Sequence, residues 1–171
     1  MLQKPQPNEY NEYYERYISL VKDSDILKTL EQQFQEFKTL LSNIDEEKSK
    51  FRYATGKWSI KEVLGHLIDA ERLFSSRALR IARNDHQPLP GFEQDDYIKY
   101  SNYDGISFKH LAEEFALLRA ANILMFVGFT DEMWPRKGTV DNKAVSVRAL
   151  VYILAGHTQH HRNILKEKYN C

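Results

Sequence analysis

The clearest helix signal in this chain lies in residues 57–83, KWSIKEVLGHLIDAERLFSSRALRIAR. Ser59 and Glu62 have the spacing of a capping box, in which the Ser hydroxyl accepts a hydrogen bond from the Glu amide and the Glu carboxylate reaches back. Trp58 and Val63 have the spacing of the hydrophobic staple that accompanies such a box. We therefore expect a helix of roughly 36 Å, which needs partners of similar length.

Three further segments show helical periodicity, and each follows a residue type that favours helix N-caps. The caps and apolar series are Ser24 or Asp25 before residues 26–44, Ser107 before residues 111–129, and Ser146 before residues 147–165. A short extra helix is expected near residues 13–21, a loop over residues 84–91, and a loop or small hairpin over residues 134–143. Four long amphipathic helices predict an all-α four-helix bundle, with connections long enough to leave its topology open.

Composition predicts an ordinary soluble domain. Within 171 residues we expect an extended N-terminal arm over residues 1–7, where Pro5 and Pro7 lie, and a single helical-bundle domain over residues 8–171. The 24 basic and 24 acidic residues balance, which argues against nucleic acid or an anionic membrane as partner. One cysteine excludes an internal disulfide, and no secretory leader or membrane-spanning run is evident, so we expect a cytoplasmic protein.

Histidines on two of the expected helices carry the main chemical signal. His157 and His161 are four residues apart in the sequence HTQHH, so both project from one face of the last helix, the face that carries Leu154. His66 borders the apolar stripe of the helix that begins at Ser59. If the two helices face each other, these side chains form a three-nitrogen metal site with open coordination positions.

Other interpretations of the histidines stay open at this point. A histidine on an apolar face is more often a hydrogen-bonded core residue than a ligand, and spacing alone does not align the two helices. The pattern is not that of a zinc metalloprotease, because Thr158 stands where the catalytic Glu would be, and no Glu-x-x-His pair indicates a di-iron site. His86 and His110 are expected in a loop and at a helix start.

Four segments resemble the DinB/YfiT-like superfamily. Residues 57–67 resemble its second-helix motif, residues 146–150 (SVRAL) and 156–161 (GHTQHH) its last helix, and residues 88–92 (PLPGF) a loop of one branch. The resemblance covers about residues 24–168. It implies an up-down-down-up four-helix bundle, often dimeric, that holds one divalent metal ion, zinc or nickel, with three histidines.

The resemblance also assigns roles to individual histidines. It implies that His66, His157 and His161 are the metal ligands. His160 falls on an intervening histidine that is not normally a ligand, and we expect it to make a hydrogen bond beside the site or at the surface.

The resemblance narrows the activity without naming it. Relatives include small-thiol transferases, thiol-dependent isomerases and metal-dependent hydrolases, whose metal lowers the pKa of a bound thiol or water. We therefore predict a small-thiol S-transferase or a hydrolase acting on a small-molecule substrate. Cys171, at the terminus, is a poor nucleophile candidate.

The alternative is a non-enzymatic metal-binding or interaction bundle. In that case the tyrosines near the N-terminus would form a homodimer interface, although they would serve equally well to cover the domain's own core. These tyrosines are Tyr10, Tyr13, Tyr14 and Tyr17.

Other polar residues have weaker signals. Asp69 and Glu71 follow His66 closely and would either orient a ligand, act as a base, or lie solvated on the helix surface. Residues 92–97 would cover a pocket or simply cap a short helix. Arg77 and Arg80 would attract an anionic thiol, but surface charge explains them equally well.

Overall fold

The computed structural model describes residues 3–171, where four long helices form the bundle. They are α2 (Ile26–Ser42), α4 (Ile60–Ala82), α6 (Phe108–Val127) and α7 (Val147–Tyr169). Shorter elements are α1 (Glu15–Ile18), α3 (Glu46–Ser49), α5 (Gln94–Lys99), and the strands β1 (Lys137–Val140) and β2 (Lys143–Ser146). Single 3-10 turns lie at Pro7–Glu9, Glu12–Tyr14 and Tyr103–Gly105. The helical bundle confirms the all-α prediction.

The long helices begin where the capping residues predict. Asp25, Ser59, Ser107 and Ser146 each accept a hydrogen bond from the amide three residues on. At Ser59 the capping box is complete, with Glu62 accepting a hydrogen bond from the Ser59 amide at 2.7 Å. Each cap satisfies one of the amides that lack a partner in the first helical turn, so the starts were predictable from local sequence.

Within residues 3–171, only one pair of consecutive long helices, α4 and α6, lies side by side. Helices α2 and α4 each pack against both α6 and α7, so α2 and α4 occupy one diagonal of the bundle. Gln33 donates to the Ala155 carbonyl at 3.2 Å, and Glu36 pairs with Arg162. The second contact lies further toward the C-terminus than the first in both helices, so α2 and α7 run parallel.

Helix α4 runs antiparallel to α7 and parallel to α6. The start of α4 lies against the end of α7, where the Tyr169 hydroxyl donates to the Trp58 carbonyl at 2.7 Å. Lys61, near the start of α4, donates to the Ile106 carbonyl just before α6 at 2.7 Å. Ten residues on, Glu71 contacts Arg119 of α6. The four directions are therefore up, down, down and up, as the resemblance implies.

Two apolar clusters fill the described bundle, and a polar layer separates them. One cluster contains Phe74, Ala78 and the first half of α7, and the other contains Leu64, Leu67 and the end of α7. The buried polar side chains between them are His66, Glu71, Arg119, Asn122, His157, Thr158 and His161. The candidate histidines lie in this layer, midway along the bundle, because His157 is close to the centre of the 23-residue α7.

The N-terminal segment packs closely on α7. The carbonyl oxygen of Tyr17 lies 2.0 Å from where a Cβ on Gly156 would be, so only glycine permits this approach. Glu9 is buried and pairs with Arg148 while accepting a hydrogen bond from Ser146 at 2.7 Å. The expected short helix is thus divided into a 3-10 turn and α1. The predicted arm over residues 1–7 lies partly outside the described residues, and Pro7 begins a 3-10 turn.

The segment between α6 and α7 folds into the small hairpin that was one of two expectations. Strands β1 and β2 pair antiparallel, with Gly138 opposite Val145. Leu89, from the proline-rich loop, pairs with Val140. The hairpin and this loop therefore form one wall beside α4. No helix in residues 3–171 is long and apolar enough to cross a membrane.

Candidate metal centre

Three histidines from two helices meet in the polar layer. His66 Nε2 of α4 lies 2.9 Å from His157 Nε2 of α7. One ring nitrogen from each of His66, His157 and His161 can be chosen so that all three lie within 4.8 Å of one another. The ring centroids are 4.6 to 4.9 Å apart. The structure thus brings together all three residues that the sequence singled out.

Burial keeps these imidazoles neutral. It lowers the pKa of His66 to about 4 and the pKa values of His157 and His161 well below their ordinary 6.5. Each of the three is also disfavoured as a cation by neighbouring histidines. Neutral imidazole is the form that binds a metal ion, so these groups do not need to lose protons near neutral pH.

The donor set fits a divalent transition-metal ion. Zinc and nickel both accept imidazole nitrogen, and three nitrogens leave coordination positions for water or substrate. In the described chain the buried Nδ1 atoms of His157 and His161 have no hydrogen-bond partner. A single ion takes one nitrogen from each imidazole, and the Nε2 atoms of His66 and His157, which approach to 2.9 Å, would each supply a lone pair. The unpaired Nδ1 atoms would then carry the ring protons.

A buried ionic network lies beside the histidines. Arg119 pairs with Glu71 and donates to the Thr158 hydroxyl at 2.8 Å. Asn122 donates to the other Glu71 oxygen at 2.7 Å. Thr158 is the residue after His157, so the network ties α4 and α6 to the histidine-bearing turn of α7. Glu71 is therefore neither solvated nor free to act as a base, because both its oxygens accept hydrogen bonds.

Asp69 lies outside this network and interacts with Tyr103. Burial raises the pKa of the Asp69 carboxyl, and a hydrogen bond with Tyr103 opposes the shift. The ring of Tyr103 lies directly over Gly65, where an added Cβ would be 2.3 Å from a ring carbon. Asp69 thus anchors the 3-10 turn before α6, and it makes no hydrogen bond to a histidine in residues 3–171.

A cavity of about 420 Å³ opens onto the histidines. His66 and His157 are exposed to it, while Tyr14, Tyr17, Phe74 and Arg77 form its inner walls. Residues 91–95 and the hairpin form its outer rim. The segment after the proline-rich loop therefore does cover a pocket, as one of the two expectations stated. The volume suits a small molecule.

Aromatic rings pack against the outer side of the histidine-bearing turn of α7. Tyr17 packs edge-on against His157 and His160, with ring centroids 5.2 and 5.4 Å apart. His160 is half-buried on Tyr17, and the hydrogen bond we expected for it is not found among the described residues. Tyr17 is buried and Tyr10 and Tyr14 pack against the core, so these three cover the domain's own interior, whereas Tyr13 is exposed.

The remaining candidates lie away from the centre. Arg80 is exposed and bonds Asp85 at 2.6 Å, which is the surface-charge alternative. His110 is exposed in the first turn of α6. Burial raises the pKa of the Cys171 thiol, which makes it a weaker nucleophile.

The sequence interpretation missed Arg119 and Tyr17 as neighbours of the site. Arg119 was detectable in principle, because it lies on the buried face of α6 between Phe115 and Asn122, where a charged residue implies a buried partner. Tyr17 carried no such signal, since only the close approach of α1 to α7 brings it to the histidines.

Fold and site together define an up-down-down-up four-helix bundle with a buried three-histidine centre. The DinB superfamily profile matches residues 29–165, and the chain belongs to this superfamily. A solved structure with the same fold is YfiT from Bacillus subtilis, described as a probable metal-dependent hydrolase with an unusual four-helix bundle topology. The two share 14% identity at a TM-score of 0.73, over 98% of this chain and 91% of YfiT. No curated protein sequence matches the chain.

Proposed function

We propose that this protein is a divalent-metal-dependent enzyme, with His66, His157 and His161 as the ligands of one zinc or nickel ion. The observation that carries the proposal is the convergence of three neutral, buried imidazoles at the inner end of an open cavity. A metal held there would lower the pKa of a thiol or a water molecule and so supply a nucleophile near neutral pH.

The cavity favours catalysis over a structural role. A structural metal site is closed and tetrahedral, whereas His66 and His157 are reached from a cavity large enough for a small molecule. The protein contributes neutral ligands, apolar walls from Phe74 and Leu150, and a rim that limits access of bulk water. A bundle that works only by association needs none of these features.

Two reactions fit this arrangement. One is S-transfer from a low-molecular-weight thiol to an electrophile, and the other is hydrolysis, the activity that the description of YfiT names. In both, the nucleophile enters with the substrate or the solvent, because the described part of the site contains no Cys or Ser nucleophile beside the histidines. An enzyme that catalyses S-transfer should consume a thiol together with an electrophile. A hydrolase should release product when no thiol is present.

Metal content tests the site itself. Protein purified without a polyhistidine tag should carry close to one equivalent of zinc or nickel, either as isolated or after the ion is added back. The triple variant His66→Ala, His157→Ala, His161→Ala should lose the metal, whereas His110→Ala, which changes an exposed histidine, should keep it. Helicity measured by circular dichroism should persist in both variants. Metal retained by the triple variant would refute the ligand assignment.

We further propose a homodimer that works in the cytoplasm. Support for the dimer comes from one face of α6, where Leu117, Leu124 and Val127 are 66%, 75% and 58% exposed. A two-fold axis would pair this face with its copy. Sedimentation should give a dimer that Leu117→Glu/Leu124→Glu converts to a monomer, and a monomeric parent protein would refute it.

The cytoplasmic location rests on the single cysteine and is tested by cell fractionation.

A further inference from the structure

Arg77 is a buried cation on the cavity wall. It lies eleven residues after His66 on α4, which is three helical turns, so both residues occupy the same face of the helix. Side chains on a helix lean toward its N-terminus, and the Arg77 side chain therefore leans toward the histidines. Phe74 lies between them: its ring centroid is 5.7 Å from the Arg77 guanidinium carbon and 6.1 Å from the His157 centroid.

Arg77 makes no salt bridge with an acidic side chain in residues 3–171, although the exposed Asp141 is near enough to favour its charged form. The side chain is only 5% exposed, yet its protein hydrogen bond goes to a neutral group, the Pro90 carbonyl, at 2.7 Å. The guanidinium lies between the rings of Phe74 and Phe92, 5.7 and 5.6 Å from their centroids. An arginine has five N–H donors, so most of its donor capacity is unused.

Burying a cation without a counter-ion is costly, and most buried charges are paired. Arg80, one turn further along α4, shows the usual alternative, because it is exposed and bonded to Asp85. The position of Arg77 on a cavity wall suggests that its counter-ion is a ligand.

The charges on the rim restrict which anion fits. Glu93, Asp95, Asp141 and Lys143 also border the cavity, and because all four are exposed, water weakens their influence without removing it. Three acidic groups against one lysine would repel a dianion more than a monoanion. A carboxylate carries a single charge and is planar, and it can accept two parallel N–H bonds from a guanidinium.

We propose that Arg77 binds a carboxylate of the substrate, and that the reacting group of the same molecule lies at the three histidines, separated from the carboxylate by the width of the Phe74 ring. The substrate class is therefore a small monocarboxylate, which in the thiol-transfer case is a mercaptocarboxylic acid. This inference rests on the proposed function, since it uses the histidines as the reacting end of the cavity.

The test compares 3-mercaptopropionate with its methyl ester, which keeps the thiol and the carbon chain but replaces the carboxylate with a neutral, slightly larger group. Binding is measured as the thiolate-to-metal absorption band of protein reconstituted with nickel or cobalt. The parent protein should bind the acid at least about tenfold more tightly than the ester. Arg77→Gln should abolish this preference without changing affinity for the ester, and Arg80→Gln, which alters an exposed arginine, should keep it. Equal affinities for acid and ester in the parent protein would overturn the proposal.

A second readout does not depend on the metal. Propionate titrated into metal-free protein should shift the NMR signals of residues around Arg77 and Phe92, and the shifts should be lost in Arg77→Lys, which keeps the charge but not the planar donor pair. Propionate-induced shifts around Arg77 in a protein that binds no metal would contradict the proposed function but support the carboxylate site. Metal binding with no propionate-induced shifts and no preference for the acid would support the metal site but contradict the carboxylate site. If Arg77→Gln does not fold, the parent protein's preference and the propionate titration decide.

Discussion

The buried pair of Glu71 and Arg119 leads to a quantitative prediction about stability. Both side chains are 0% exposed, so water cannot replace either partner. Glu71→Met leaves the Arg119 cation in the core without a counter-ion and also removes the acceptor used by Asn122. Loss of one partner of a buried pair costs about 3–5 kcal/mol in the free energy of unfolding.

Removing both charges should cost less than removing one. In Glu71→Met/Arg119→Met two apolar chains of similar length fill the space, and we expect recovery of at least about 2 kcal/mol of the loss caused by Glu71→Met alone. The assay is urea unfolding of metal-free protein, followed by far-ultraviolet circular dichroism, for the parent, both single variants and the double variant.

A surface pair supplies the control for this cycle. Glu114 pairs with Arg72 on the exposed sides of α4 and α6. Glu114→Ala should change the free energy of unfolding by less than about 1 kcal/mol, because water solvates an exposed arginine that has lost its partner. A loss below about 1 kcal/mol for Glu71→Met, or a double variant no more stable than that single variant, would refute the argument that burial makes the Glu71 pair important.

Two further predictions concern the packing of the N-terminal segment and the histidines. Gly156→Ala should displace the segment around Tyr17, which would be measured as faster amide exchange in that segment and a lower free energy of unfolding. Gly128→Ala should be tolerated, because the nearest atom to its added Cβ would be 3.4 Å away. Unchanged amide exchange in Gly156→Ala would contradict the close approach of Tyr17 to Gly156. The pKa of His66 is lowered to about 4 from its ordinary 6.5, so the unfolded chain takes up protons first as pH falls between these values. Metal-free protein should therefore lose up to about 1.4 kcal/mol per pH unit for His66 in this range, with further losses from the other two histidines. Unfolding curves measured from pH 7 to 4.5 test this. The triple histidine variant should show a weaker dependence of the free energy of unfolding on pH. A pH-independent free energy of unfolding in the parent protein would be inconsistent with histidines that are buried in the neutral form.

The polar layer shows where this fold departs from a core built only for stability. Leu64 and Leu67 on one side, and Phe74 and Ala78 on the other, form continuous apolar packing that the histidines and the Glu71 pair interrupt. Buried polar groups add less stability than apolar ones of the same size, and proteins keep them chiefly where a site requires them. The layer coincides with the inner end of the cavity, which is consistent with a functional origin.

Helix starts and buried faces could be predicted from the sequence because they depend on neighbours a few residues apart. The caps at Ser59, Ser107 and Ser146 and the His157–His161 spacing are of this kind. The up-down-down-up order was inferred from family resemblance, because periodicity alone does not say which helices are neighbours. The short helix α3 was not identified, and α5 was foreseen only as one of two alternatives for residues 92–97, since a segment of four to six residues carries too little pattern.

The residues around the histidines depended on contacts between distant parts of the chain. Local sequence placed His66 near one apolar stripe and His157 and His161 on another. It left Arg77 and Arg80 undistinguished, either as groups that attract an anionic thiol or as surface charges. Tertiary packing brought the three imidazoles together, buried Arg77 beside Phe92 while leaving Arg80 in water, and enclosed Glu71 with Arg119. Hydrogen bonds within a turn are encoded by residues three or four apart, whereas burial and pairing of a charge depend on which distant segments fold over it.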